Sequence, residues 1–268
     1  MPSNGILRVL FIGDIIGRPG RRAVTDLLPG IKGEYGIGFT VANCENTAGG
    51  FGVTAKIIEE LTELGVDVLT SGNHIWDRRG VAEELDSFTN VLRPYNYPPG
   101  LPGRGWASFE APGGHRVAVI NLQGRVFMRP IDCPFRGADE LLKKIDEKMI
   151  VVDMHAEATS EKVAMGWHLD GRVSAVIGTH THVQTSDETV LPGGTAYITD
   201  AGMTGPHDSV IGIEKEAIIK RFLTEVPNRF EVGKEDIKLS GLVVSLDTAT
   251  GKAVEVTRIH RGLDHGGK

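Results

Sequence analysis

The amino-acid sequence predicts an α/β fold of mixed sheets flanked by helices, and three observations carry that prediction. Short apolar runs recur along the chain, and several stop abruptly at a polar residue. Segments with helical spacing of apolar residues alternate with them. Two further pairs of runs are joined by turn signals, so antiparallel hairpins must join the parallel strands that the alternation implies.

The elements follow in order. "ILRVLFI" (6–12) is nearly continuous in apolar character and ends at Gly13–Asp14, the pattern of a strand buried on both faces. "FTVAN" (39–43) reads the same way and runs into "CENTAGG". "TAKIIEELTELG" (54–65) spaces Ile57, Ile58, Leu61 and Leu64 as one face of a helix and stops at Gly65. "VDVLT" (66–70) is a third strand, ending in "SGNH", and a helix is expected over 78–86. "RPYNYPPGLPGRG" (93–105) is rich in Pro and Gly and reads as a surface loop. "WASFEA" and "RVAVINL", joined by "PGGH", form a hairpin. "MIVVDMH" (149–155) is a strand finishing at His155, and a helix near 160–169 leads into the strand "VSAVIG". A last helix, "EKEAIIKRFLTEV" (214–226), precedes a closing hairpin around "TATG".

The bulk numbers set limits. The 268 residues are 40% hydrophobic and 24% charged, and no Pro/Ser/Gly linker or internal repeat divides them, so a single domain over 1–268 is expected. Lys and Arg number 29 against 35 Asp and Glu, a net charge of −6 that argues against tight binding of long nucleic acid. Only two cysteines, Cys44 and Cys133, are present, too few for a disulfide framework. The N-terminal apolar stretch is too short for a signal peptide or a membrane span, so a cytoplasmic protein with no membrane partner is expected. Assembly as a homo-oligomer stays open.

Chemistry collects at the strand ends. Five apolar runs finish in a metal-capable group: Asp14, Glu45–Asn46, Asn73–His74, His155, and the pair His180 and His182 in "IGTHTH". In α/β sheets, sites form beyond the carboxyl ends of strands. Each residue alone has a plainer reading. Asp14 suits a turn or a helix N-cap, Asn73 a left-handed turn, and a lone histidine a structural hydrogen bond. Five coincidences in one chain favour ligands instead. On an extended chain, His180 and His182 would point to the same side. Carboxylate, amide and imidazole without thiolate suit borderline divalent ions such as Mn, Fe or Zn. Two carboxylates against two divalent ions leave the site net positive, which favours an anionic substrate such as a phosphoryl group. One carboxylate must bridge the ions, and Glu45 is the natural choice.

"GNH" (72–74) and "GTHTH" (178–182), after a preceding "GD" (13–14), resemble the calcineurin-like metallophosphoesterases. "GDIIGRPGR", "ANCENTAGGFG", "SGNHIWD" and "TDAGMTGPHDSVIG" resemble one branch of them, the YmdB-like proteins, from near residue 6 to beyond residue 212. The wider superfamily has Asp-x-His at the first strand and a bridging Asp at the second; Asp14-Ile15-Ile16 and Glu45-Asn46 depart from this but match the branch. The resemblance implies a four-layer α/β/β/α sandwich. It implies two transition-metal ions, with iron or manganese among the family's metals and zinc compatible with the donor set. One ion would be held by Asp14, Glu45, Asn46 and His182, the other by Glu45, Asn73, His155 and His180. It implies hydrolysis of small phosphodiesters, 2′,3′-cyclic nucleotides among them, by metal-hydroxide attack with His74 as general acid. The rivals are a phosphomonoesterase and a regulatory protein that binds a cyclic nucleotide or RNA with incidental hydrolysis.

Other candidates are set aside. His207, in "GPHDS", reads as a solvated turn residue, and His115, His168, His260 and His265 read as surface histidines. Asp77 is read as the N-cap of the 78–86 helix, although it lies within reach of His74. Arg125, Arg129 and Arg136 either meet a phosphate or form a solvated face. Cys44 is read as packing, and "TAGGFG" lacks the G-x-G-x-x-G spacing of a dinucleotide fingerprint.

Overall fold

Successive side chains of a strand point to opposite faces, and in the first strand both faces are apolar. That strand therefore needs a packing partner on each side. A computed structural model describes residues 5–263. The first half runs β1 (Ile6–Ile12), β2 (Asp14–Ile15), α1 (Gly17–Tyr35), β3 (Phe39–Asn43), α2 (Ala55–Glu63), β4 (Val68–Thr70) and α3 (Val81–Glu84). Then come β5 (Trp106–Ala111), β6 (His115–Gln123), α4 (Pro134–Leu141), β7 (Met149–His155), α5 (Thr159–Leu169) and β8 (Ala175–Thr179). The chain closes with β9 (Thr189–Val190), β10 (Ala196–Ile198), β11 (Met203–Pro206), α6 (Lys215–Thr224), β12 (Ile237–Asp247) and β13 (Ala253–Gly262).

Two mixed sheets result. In one, β1, β3 and β4 are parallel, β12 lies antiparallel to β1, and β11 and β13 also pair with β12, with β2 on β11. The other has the order β5-β6-β7-β8-β10-β9, parallel from β6 through β10. Three apolar layers hold the sheets and helices together. Leu7, Val9 and Phe11 of β1 meet Val117, Val151 and Ile177 between the sheets. Leu10 and Ile12 face Val24, Leu28, Ile58 and Leu61 of α1 and α2. Ile120, Val152 and Met154 face Leu141, Met165 and Leu169 of α4 and α5. The fold is thus the four-layer α/β/β/α sandwich expected. No helix among the described residues is long and apolar enough to cross a membrane.

Several details differ from the sequence reading. Helix α1, of 19 residues, has no counterpart there: Gly17, Pro19, Gly20, Pro29 and Gly30 punctuate it, yet Ala23, Val24, Leu28 and Ile31 bury one face. Packing outweighs the poor propensity, and Gly20 lets the helix lie against the Thr204 carbonyl, where a Cβ would collide. The helix expected over 78–86 begins at Val81, and Gly80 rather than Asp77 occupies its N-cap. The 93–105 segment is only partly a surface loop, since Arg93 and Asn96 are buried and Tyr97 donates to Gln123 Oε1 at 2.8 Å. His265 lies outside the described residues.

One buried ion pair ties α5 to the segment after β10. Lys162 Nζ lies 2.7 Å from Asp200 Oδ2 and 3.0 Å from the Thr179 carbonyl, and both charged side chains are almost wholly buried. The same carboxylate accepts the Thr181 amide and hydroxyl and the Gly202 amide. Lys162→Met keeps most of the apolar stem but leaves Asp200 without its charged partner. It should destabilise the protein by about 3–5 kcal/mol in chemical denaturation. A loss below about 1 kcal/mol would mean that the hydroxyl and amide donors suffice for Asp200.

Candidate metal centre

The residues singled out at the strand ends converge at one place. Asp14 opens β2, Glu45 and Asn46 follow β3, Asn73 and His74 follow β4, His155 ends β7, and His180 and His182 follow β8. Both sheets contribute. Glu45, Asn73, His155 and His180 meet directly: His155 Nε2 lies 2.9 Å from Glu45 Oε1 and 3.1 Å from both Asn73 Oδ1 and His180 Nδ1. Glu45, His155 and His180 thereby form a group able to hold a metal ion. Beside it, His182 Nε2 lies 3.1 Å from Asn46 Nδ2 and 3.9 Å from Asp14 Oδ1. Asp14 joins the two halves, since its Oδ1 is 4.0 Å from His155 Nδ1 and its Oδ2 accepts the His180 amide at 3.1 Å.

Each histidine is fixed from outside. Thr179 donates its hydroxyl to Asp153 Oδ1 at 2.6 Å, so it can only accept from His155 Nδ1, 2.9 Å away. The lone pair of His155 is then on Nε2, facing the cluster. His182 Nδ1 donates to the Ile211 carbonyl at 2.8 Å, and His180 Nε2 lies 3.1 Å from Glu157 Oε2. In all three rings one nitrogen is tied to an outer acceptor and the other is turned inward, the arrangement that sets tautomer and aim in metal-ligating histidines. Asp14 Oδ1 and Glu45 Oε1 are buried and accept no hydrogen bond among the described residues. Two such oxygens beside inward lone pairs would be costly unless a cation joined them.

The titration behaviour has the same cause. Burial pulls the His155 imidazole down, but the carboxylates of Glu45, Asp14 and Asp153 outweigh it and raise the ring to about 9. Burial pushes Glu45 up, and His155 with the His74 backbone amide overcomes this, holding the carboxyl at about 2. Burial raises Asp14, and burial with the neighbouring His155 charge lowers His180 to about 3.

The backbone is shaped to this end. His180 (φ 99°) and His182 (φ 66°) are left-handed, so they do not project from an extended strand as the i, i+2 spacing suggested. Their rings converge because two closely spaced turns aim them, a conformation that surrounding hydrogen bonds must hold. Asn73, for which a left-handed turn was the plain alternative, does not have a positive φ. Gly72 lies against the His155 ring, where a Cβ would collide.

His74 stands at the edge of the cluster. Its amide donates to Glu45 Oε2 at 2.9 Å and its Nδ1 lies 2.7 Å from Asp77 Oδ2, so Asp77 orients the ring rather than capping a helix. Sequence reasoning missed Asp153 and Glu157 altogether. Asp153 was detectable as a carboxylate two places before His155 within an apolar strand, hence on the same face. Glu157, in the loop after β7, gives no such signal.

Other residues stand apart. His207 is half-buried rather than solvated, packed edge-on against His260 at 5.0 Å. His168 pairs with Asp139 at 3.0 Å. Arg125 reaches Cys133 Sγ at 3.5 Å, and Arg136 lines a separate cavity of about 620 Å3. Both cysteines are free, and Cys44 is wholly buried, as packing requires.

Known proteins share this chain's features. The family model described as "YmdB-like protein" matches residues 10–259. A Bacillus subtilis (strain 168) protein named 2′,3′-cyclic-nucleotide 2′-phosphodiesterase is 50% identical, over 97% of this chain and 98% of its own length. The crystal structure of a hypothetical protein from Thermus thermophilus has a TM-score of 0.89 at 44% identity, covering 96% of this chain and 99% of its own. That of a Mycoplasma pneumoniae protein described as a novel phosphatase has a TM-score of 0.90 at 35% identity, covering 97% of this chain and 95% of its own. With the family matched over most of its length and a relative at half identity throughout, the chain belongs to the YmdB-like protein family.

Proposed function

We propose that this protein is a metal-dependent phosphodiesterase acting on small phosphodiesters, with 2′,3′-cyclic nucleotides as substrates. The observation that carries the reading is the inward aim of three outwardly anchored histidines onto two buried carboxylates with unpaired oxygens. Asp14, Glu45, Asn46 and His182 would hold one ion, and Glu45, Asn73, His155 and His180 the other. Asn46 turns Nδ2 toward His182 and would serve as a ligand with the two ends of its amide exchanged. The donor set suits iron or manganese, and zinc less selectively. When bound, two such ions supply Lewis acidity and an activated water for in-line attack on a phosphoryl group.

The chain's own residues do the rest. Asp153, through Thr179, fixes the His155 ring, and the Ile211 carbonyl and Glu157 fix the other two. Asp77 holds His74 Nδ1, which leaves Nε2 to pass a proton to the departing oxygen. The 50% identity to a protein named as a cyclic-nucleotide phosphodiesterase supports the diester substrate. A side-by-side assay of bis- and mono-nitrophenyl phosphate, then of 2′,3′- and 3′,5′-cyclic nucleotides, should favour diesters. A clear monoester preference would replace this reading with a phosphatase.

Metal content tests the centre itself. Elemental analysis after reconstitution with Mn or Fe should give about two ions per chain. Glu45→Ala should lose both, and Asn73→Ala should weaken chiefly one. At most one ion in the unaltered protein would sink the dinuclear arrangement.

The role of His74 separates catalysis from binding. His74→Ala should keep fold and metals but lose about 10²–10⁴-fold in kcat/KM on nucleotide substrates, whose leaving alkoxide needs a proton. Nitrophenyl esters should suffer less, because nitrophenolate departs unaided. Equal losses on both classes, with metal content reduced, would make His74 a structural residue of the turn.

A further inference from the structure

We propose that Phe222, on α6, is a stacking platform for the heteroaromatic base of a nucleotide substrate; this rests on the phosphodiesterase reading above. The cavity that contains Glu45, His74, His180 and His182 has a volume of about 400 Å3, within the range of small-ligand sites. The connection between β11 and β12 adds apolar side chains to the same cavity, among them Ile218, Phe222 and Phe230. A cavity with a cation-binding cluster and an apolar lining matches a molecule with an anionic end and a flat apolar end.

Three phenylalanine rings line it, and two already have partners. Phe51 lies edge-on to His74 at 5.1 Å, and the Arg221 guanidinium lies over Phe230 at 5.1 Å. Phe222 has no ring partner among the described residues and is 78% exposed, on a helix none of whose residues is buried. Folding therefore gains little from this ring, whereas a stacked base would cover it. Stacking on an aromatic face tolerates any base, so the platform would select for a base without reading which one.

The test compares adenosine 2′,3′-cyclic phosphate with ribose 2′,3′-cyclic phosphate lacking a base, using the metal-loaded, full-length protein. Both present the same ester, so the ratio of their kcat/KM values isolates the base. That ratio should exceed about ten and should fall about tenfold in Phe222→Ala, chiefly through KM, with Phe222→Trp restoring it. The exposure of Phe222 implies an unchanged thermal midpoint for both variants. An unchanged ratio, or equal losses on both substrates, would overturn the platform. If neither ester is hydrolysed, the phosphodiesterase reading fails, and calorimetry with adenosine 5′-monophosphate and ribose 5-phosphate then decides. Tighter binding of the nucleotide, weakened about tenfold by Phe222→Ala, would sustain the platform; equal binding of the two would overturn it.

Discussion

Two carboxylates, Asp14 and Glu45, are held out of water at the ends of strands that also build the core. Burying ionised oxygen without compensation is among the most unfavourable things a fold can do. Much of the surrounding structure answers that constraint. The His74 amide satisfies Glu45 Oε2, the His180 amide satisfies Asp14 Oδ2, and the imidazoles of His155 and His182 lie beside the remaining oxygens. A further layer then fixes the imidazoles. Asp153, itself fully buried, accepts from Thr70, Asn43 and Thr179, and its carboxyl is raised by burial to about 6 although His155 and its hydrogen bonds oppose this.

Backbone conformation supplies what side chains cannot. The turn after β8 brings two left-handed histidines into a space that a regular strand end would not reach. It is held from three sides: by Asp14 on the His180 amide, by Asp200 on Thr181, and by the Met203 amide donating to the His182 carbonyl at 3.1 Å. Asp200 is in turn held by Lys162 on α5. This explains part of the "TDAGMTG" segment, whose Asp200 and Met203 amide bind the turn from behind.

Most of the candidate site was legible in the sequence because polar residues ending apolar runs are anomalous under any packing argument. Asp14, Glu45, Asn73, His155 and His180 were visible in that way, and the structure brings them together. The i, i+2 argument for His180 and His182 does not hold, since both residues are left-handed and local strand geometry does not persist past Thr179. Asp77 was read as a cap because the start of a short helix cannot be fixed from propensity, and Gly80 moved it. Helix α1 was hidden because its glycines and prolines weaken local preference, while one of them, Gly20, serves a close contact with the distant strand β11. Contacts remote in sequence, such as Glu157 with His180, leave no local trace.

The inward residues are drawn from both sheets: Asp14, Glu45 and Asn73 from one, His155 and His180 from the other. The apolar layer of Val9, Phe11, Val151 and Ile177 between those sheets thus acts as a ruler for the site. Interiors packed this tightly yield little, so a methyl group added or removed there would alter the spacing of groups across the cluster without touching any of them. The same geometry works in reverse. A cation gripped by donors from both sheets would rivet one to the other, and its binding energy would add to the resistance of the whole sandwich to unfolding.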